Sequence, residues 1–145
     1  RRRELGWIAL GTAFILLVGL SGSVAALSSM IFPSGTIAEG IAKDFSPTSH
    51  TLLRLRPFHP IIAVASAVFF VFWTGWLKRT MPESRSVARW ANVLAALIIA
   101  QLGFGAMTLL TLGPILMQLG HLLLADAIWI AIILLSLNLL SQDFD

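Results

Sequence analysis

Long apolar runs separated by short polar stretches account for most of the chain. Four runs, near residues 6–32, 58–77, 90–112 and 115–140, are each about as long as a helix must be to cross a bilayer. The pattern therefore predicts an all-α integral membrane protein, a four-helix bundle in a single transmembrane domain. The first run has the basic start of a signal peptide. It exceeds the roughly 7–15 apolar residues of such a peptide, which predicts a retained helix.

Turn residues mark the connections between the runs. A Pro-Ser-Gly sequence at 33–35 ends the first run and opens the one sizeable polar loop, residues 33–57. Within that loop, Ser46 and Pro47 are typical of an N-cap and a first helical position. They predict a helix that begins near Thr48 and continues into the membrane.

The distribution of Lys and Arg predicts the orientation. Seven of these residues flank the side that carries both termini: Arg1, Arg2, Arg3, Lys78, Arg79, Arg85 and Arg89. Three flank the other side: Lys43, Arg54 and Arg56. The side of a membrane protein that is richer in Lys and Arg faces the cytoplasm. Both termini and the 78–89 loop are therefore predicted to be cytoplasmic, and the 33–57 loop is predicted to be outside. We therefore expect a multi-pass protein of the plasma (inner) membrane.

Composition narrows the possible chemistry. Apolar residues make up 57% of the chain and charged residues 12%, against about 25% charged residues in soluble domains. Cysteine is absent, which excludes disulfides, thiolate metal sites and a cysteine nucleophile. No nucleophile–base pair, glycine-rich phosphate loop or nucleic-acid surface is apparent. The chain starts with Arg rather than Met, which predicts processing or a cut from something longer.

Two histidines, His59 and His121, lie inside the apolar runs, where ionisable residues are costly and mark function. His59 lies 19 residues before Lys78 and His121 lies 19 residues before Leu140, or roughly 28 Å above the cytoplasmic boundary in each case. Both imidazoles should therefore sit at one level near the outer edge of the membrane, on the second and fourth helices. Two level imidazoles on separate helices fit the axial ligands of a haem iron. Alternatively, each histidine is a hydrogen-bonded packing residue.

Polar residues near these histidines are candidate haem contacts. Arg54 and Arg56 lie just outside His59, and guanidinium groups pair well with carboxylates such as haem propionates. Gln118, one turn before His121, is interpreted either as orienting an axial ligand or a propionate, or as a rim residue. His50 lies in the polar loop and is interpreted as solvated.

Asp126 and Gln101 both lie near the middle of the membrane. We predict a structural hydrogen bond between them, joining the third and fourth helices; the alternative is a proton-relay carboxyl. Small residues also line one face of the first helix and one of the third. They predict close helix packing, or room for a flat macrocycle.

Three stretches resemble haem A synthases: RLRPFHP at 54–60, QLGFG at 101–105 and QLGHLLLAD at 118–126. That family is built from two similar four-helix halves, each with two haem-ligating histidines on its second and fourth helices, and it converts haem O to haem A. The resemblance covers essentially the whole chain but only one half of a usual family member. It implies that His59 and His121 are axial ligands.

Two departures from the family pattern indicate which half is present. In the catalytic half a glutamate precedes the first histidine by three positions, and here that position is Arg56. The cysteine pair common in that half is also missing. The resemblance therefore implies the C-terminal half, which holds a b-type haem and passes electrons. The alternatives for the bound haem are haem O and haem A, as substrate or product.

Other interpretations remain open at this stage. The chain could be a small membrane cytochrome b subunit for electron transfer, or a structural or transport half-repeat without haem. Whether it is itself an enzyme is uncertain, because the catalytic glutamate is missing. Besides the bilayer, the expected partner is an N-terminal four-helix half or a second copy, and no nucleic acid is expected. The electron donor is unknown.

Overall fold

The computed structural model describes residues 2–141, and within them all regular secondary structure is helical. The six helices are α1 (Arg2–Ile31), α2 (Ile37–Phe45), α3 (Thr51–Leu55), α4 (Phe58–Thr80), α5 (Arg85–Leu110) and α6 (Ile115–Ser141). The segments containing α1, α4, α5 and α6 are long and apolar enough to cross a membrane. The predicted all-α fold with four spans is therefore confirmed. Arg1, used in predicting the orientation, lies outside the described residues.

The four long helices run alternately up and down. The end with Arg2 and Ser141 is here called the terminal end, and the end with α2, α3 and the α5–α6 turn is called the loop end. α1 packs mainly on α4, α4 on α5 and α5 on α6, while α1 touches α6 only lightly. Consequently α4 and α6 face each other across the bundle.

The spans are close to their predicted bounds, with α4 and α5 longer at the terminal end. α4 continues to Thr80 and α5 begins at Arg85, where Ser84 accepts a hydrogen bond from the Val87 amide as an N-cap. The predicted bounds were drawn at the apolar limit. The helices extend past this limit because the charged last turn of α4 and the charged first turn of α5 reach into the polar interface, where charge is tolerated.

The polar loop contains more helix than predicted. α2 was missed, although Thr36 accepts the Glu39 amide at 3.1 Å as an N-cap and Glu39 accepts the Gly35 amide at 2.8 Å. Lys43 pairs with Glu39 at 2.6 Å, and this hydrogen bond holds the pKa of the Glu39 carboxyl below its ordinary value. The helix predicted from Thr48 begins at Thr51. Two turn residues, Arg56 and Pro57, divide it into α3 and α4, and the segment Thr51–Thr80 as a whole is long and apolar enough to cross a membrane.

Close packing is concentrated toward the terminal end. The buried apolar core consists of Ile15, Ala67, Phe70, Trp73, Leu77, Val87, Ala91, Leu94, Ile98, Ile128, Ala131, Ile132, Leu135 and Leu139. Aromatic rings reinforce it: Trp7 packs on Trp76 with ring centroids 5.9 Å apart, and Phe14 stacks on Phe69 at 4.8 Å. On α6, no residue between 115 and 127 is buried. The loop half is thus the more open half of the bundle.

Candidate functional site

The helix faces that carry the core continue into the loop half with different residues. On each long helix, the residue seven positions beyond the nearest buried residue on the terminal side is a glycine or a histidine. The four pairs are Ile15 and Gly22, Ser66 and His59, Ile98 and Gly105, and Ile128 and His121. Seven residues make about two turns, so each pair shares a face. At this level, α1, α4, α5 and α6 carry glycine, histidine, glycine and histidine, in that order.

His59, in the first turn of α4, places its imidazole against α1. A Cβ added at Gly22 would lie 3.1 Å from Cε1 of the ring, so the absence of a side chain makes room for it. Ser21 Oγ lies 3.1 Å from His59 Nδ1 and donates its own proton to the Val18 carbonyl at 3.0 Å. The hydroxyl therefore accepts the Nδ1 proton, which leaves the lone pair on Nε2 available.

His121 places its imidazole against α5 in the same way. A Cβ at Gly105 would lie 3.0 Å from Cε1 of this ring. Gln101 Nε2 donates to the His121 backbone carbonyl at 3.0 Å and lies 3.4 Å from the ring Nε2. Among the described residues, His121 Nδ1 is buried without a hydrogen-bond partner. Because buried polar atoms are normally satisfied, this imidazole is a candidate contact for a bound group.

The two imidazoles come from helices that face each other across the bundle. Within residues 2–141, His, Cys, Asp and Glu side chains form no cluster of three or more suited to a bare metal ion. Protein sites for bare zinc commonly use three or four protein ligands, whereas haem iron needs only axial ones. Two imidazoles on facing helices, each lying against a glycine, are therefore the candidate site in the described part of the chain.

The predicted hydrogen bond between Gln101 and Asp126 was wrong. The Gln101 amide contacts His121 instead, and Asp126 is exposed with no hydrogen bond or ion pair to any described residue. The reason is rotational. Asp126 lies two residues before the buried Ile128, which is about 200° around the helix, so it points away from α5.

Arg56 is engaged in the structure of the loop. Its Nε and Nη2 atoms bind Asp44 at 2.8 and 2.7 Å, and Nη2 also donates to the Gly40 carbonyl at 3.1 Å. Both side chains of this ion pair are mostly shielded from solvent. The pair fastens α2 over the loop end of the bundle. Arg54 is exposed and has no hydrogen bond or ion pair within the described part of the chain.

The other two polar candidates are occupied locally. Gln118 is exposed and donates its amide to the Gly113 carbonyl in the α5–α6 turn. His50 is exposed, as its loop position predicts, and its Nδ1 accepts the Leu52 amide at 3.2 Å as the N-cap of α3. Neither side chain contacts His59 or His121 through a hydrogen bond.

Comparison with known proteins shows the family of this chain. The family COX15-CtaA, described as cytochrome oxidase assembly protein, matches residues 2–133. The chain belongs to this family. Two curated relatives, both named protoheme IX farnesyltransferase and both from strains of Thermus thermophilus, are each 38% identical over 133 residues. These matches cover 92% of this chain and 22% of each relative, so the chain spans about a fifth of their length. No solved structure matches.

Membership in the cytochrome oxidase assembly family confirms the resemblance inferred from the histidine segments. It supports a multi-pass membrane protein with a haem-related role in oxidase assembly. The sequence interpretation singled out the two histidines but not how their rings are held. Gly22 and Gly105 belong to the small-residue faces of the first and third predicted helices, and the structure shows that each lies seven residues from a buried core residue.

Proposed function

We propose that this chain is one four-helix half of an eight-helix, haem A synthase-like protein. In this proposal it holds a b-type haem between His59 and His121 near the loop end, which faces the outside of the plasma membrane. The observation that carries the proposal is the ring of two histidines and two glycines. This ring lies two turns beyond the packed core on four inward helix faces.

The chemistry of the imidazoles supports this assignment. A haem ligand must be a neutral imidazole with one free nitrogen lone pair, and its other nitrogen is usually hydrogen-bonded. The Ser21 hydroxyl and the Val18 carbonyl provide that arrangement for His59. The His121 ring lies against Gly105 with the Gln101 amide 3.4 Å from its Nε2, and its Nδ1 has no hydrogen-bond partner among the described residues. The bound haem would supply reversible one-electron chemistry.

The two arginines that were expected to bind the haem propionates, Arg54 and Arg56, are proposed to have different roles. Arg54 is the better partner, because its guanidinium is exposed and uncommitted among the described residues. Arg56 already binds Asp44, which leaves only Nη1, 3.5 Å from Ser29 Oγ, for a further contact. We infer that Arg56 acts mainly by holding α2 and α3 over the site, which shields it from water. Gln118 would act at the rim.

This half is proposed to pass electrons rather than to oxidise the substrate. The position three residues before His59 is Arg56, whose charge is opposite to that of the glutamate expected in a catalytic half. A guanidinium cannot act as a general base at neutral pH. Conversion of haem O to haem A would therefore depend on residues beyond this chain.

The proposal is tested by the haem content and haem type of the detergent-purified chain, produced with adequate haem and analysed as the pyridine haemochrome. We expect about one b-type haem per chain, lost in His59→Ala and in His121→Ala. His50→Ala is the matched control, because His50 is an exposed histidine outside the bundle, and it should retain the haem. No haem in the wild-type chain, or retention in both site variants, would contradict the proposal. A small cytochrome b subunit would show the same haem but no association with a catalytic half.

A further inference from the structure

An apolar groove runs between α1 and α4 in the terminal half of the bundle. It encloses about 330 Å³, and five aromatic residues, here called the aromatic groove, line it: Trp7, Phe69, Phe72, Trp73 and Trp76. The ring centroid of Trp7, on α1, lies 6.1 Å from that of Phe69 and 5.9 Å from that of Trp76. The Phe72 side chain is 75% exposed, so the groove opens away from the core. Its lining suits a hydrocarbon chain.

Two arginines continue the lining toward the terminal end. Arg3 lies four residues before Trp7, and Arg79 lies three residues after Trp76 and seven after Phe72. These spacings are close to one or two helical turns, so each arginine shares a helix face with the groove residues. Both side chains are exposed, and neither has a hydrogen bond or ion pair to another described residue. The groove is therefore apolar along its length and cationic at one end.

The length of this surface corresponds to one leaflet of a bilayer. Phe69 and Arg79 are 10 residues apart on α4, or roughly 15 Å, about half of the roughly 30 Å hydrocarbon core. Guanidinium groups bind phosphate oxygens bidentately. A phospholipid has both an apolar chain of this length and a phosphate at its end. A helix from another protein would fill the groove but would need a separate acidic residue for the two arginines.

The charge at the terminal end favours a lipid with a net negative headgroup. Among residues 2–141, this end carries two acidic residues, Glu4 and Glu83, against six basic ones: Arg2, Arg3, Lys78, Arg79, Arg85 and Arg89. A zwitterionic headgroup would bring its own cation close to these basic residues. An anionic headgroup brings none, and basic residues at a membrane surface attract such lipids.

We propose that the aromatic groove binds an anionic phospholipid, with an acyl chain against Phe72 and Trp76 and the headgroup phosphate between Arg3 and Arg79. This site lies in the opposite half of the bundle from His59, and it does not depend on haem binding. The lipid occupies a defined position on the outside of α1 and α4, whereas the rest of the apolar surface contacts lipids without selection.

Tryptophan emission tests the site directly, because three of the five tryptophans line the groove. Trp90→Phe and Trp129→Phe together leave emission from the groove alone. The full chain with these two changes would be placed in phosphatidylcholine nanodiscs that contain increasing fractions of a lipid with brominated acyl chains, which quench indole on contact. We expect half-maximal quenching at about a fivefold lower fraction of brominated phosphatidylglycerol than of brominated phosphatidylcholine.

The arginines are tested in the same background. Arg3→Gln with Arg79→Gln should abolish the preference for phosphatidylglycerol. The matched control is Arg85→Gln with Arg89→Gln, which removes the same charge at the same end of the bundle, on a helix that does not line the groove. The control should keep the preference, and circular dichroism should show unchanged helicity in both variants.

Three outcomes would overturn the proposal. Equal quenching by the two lipids would mean unselective lipid contact, and equal loss of preference in both double variants would mean a general charge effect. No quenching by either lipid would mean that protein covers the groove. Each comparison uses one preparation with two lipids, so bound haem affects both measurements alike. The proposed function can therefore fail without changing this result.

Discussion

The terminal half and the loop half of the bundle use the same helix faces for different purposes. In the terminal half, those faces carry large side chains such as Phe70, Trp73 and Leu94, which are almost wholly buried. Two turns further along, they carry glycines and histidines, and only a few side chains are buried. The change occurs at the same spacing on all four helices, so it divides the bundle into two layers.

The difference shows how a small membrane protein can separate stability from function. Helices in lipid associate mainly through close packing, because apolar contact with lipid is nearly as favourable as contact with protein. The terminal half supplies this packing. The loop half can then remain more open, with the Arg56–Asp44 pair at its loop end. Substitutions in the two layers should therefore affect different measurements.

The largest expected effect is on haem retention, from Gly105→Val. The added side chain would enter the space of the His121 ring, whose Cε1 would lie 3.0 Å from the new Cβ. We expect haem affinity to fall about a hundredfold, with little change in helicity. Gly103→Val is the control, because nothing lies within 4 Å of a Cβ there. Equal haem content in the two variants would mean that the glycine does not seat the ring.

The second effect concerns the terminal half. Phe70 is fully buried, so Phe70→Ala should leave a cavity and lower the free energy of unfolding by about 2 kcal/mol. Phe72, two residues away and 75% exposed, gives the same truncation without a cavity. Unfolding in detergent with increasing sodium dodecyl sulfate, followed by circular dichroism, would measure both variants. Similar losses would contradict the assignment of the packed core to this half.

A smaller, local effect is expected at the cover of the loop half. Arg56→Gln would break the shielded pair with Asp44 and destabilise α2 by about 1–2 kcal/mol, between the values for exposed and buried pairs. Amide hydrogen exchange of residues 37–45 should accelerate while that of α4 should not. Arg54→Gln removes the neighbouring uncommitted guanidinium and should leave exchange unchanged. Acceleration in both variants would indicate a general charge effect.

The smallest effect is expected from Ser21→Ala. Losing the hydroxyl that accepts the His59 Nδ1 proton should make the imidazole a weaker donor. Haem affinity should fall by about tenfold at most, and the midpoint potential should rise because the ferric state loses more than the ferrous state. Ser23→Ala is the control, since Ser23 bonds only to the Gly19 carbonyl. A redox titration that shows the same potential for both variants would exclude this role for Ser21.

The spans were predictable because length and hydropathy alone define a membrane helix. α2 was missed because it is a short amphipathic segment within a polar loop, although Thr36 and Glu39 carry the spacing of an N-terminal cap. The Arg56–Asp44 pair depends on how the loop folds back on itself, which residue spacing does not reveal.

The histidines were predictable because ionisable residues inside a span are rare. The partner of Gln101 was not predictable. Apolar residues lie on every side of α6, so its hydrophobic pattern does not indicate which side faces the bundle. Only the packing of α5 on α6 shows that His121 points inward and Asp126 outward.

The most direct test of the central claim is electron paramagnetic resonance of the ferric, haem-loaded chain and its two single-histidine variants. If His59 and His121 bind the same iron, the wild type shows one low-spin signal. Each alanine variant that is reloaded with haem then becomes high-spin, and added imidazole restores the low-spin signal. A low-spin signal that persists unchanged when either histidine is removed would contradict a shared site.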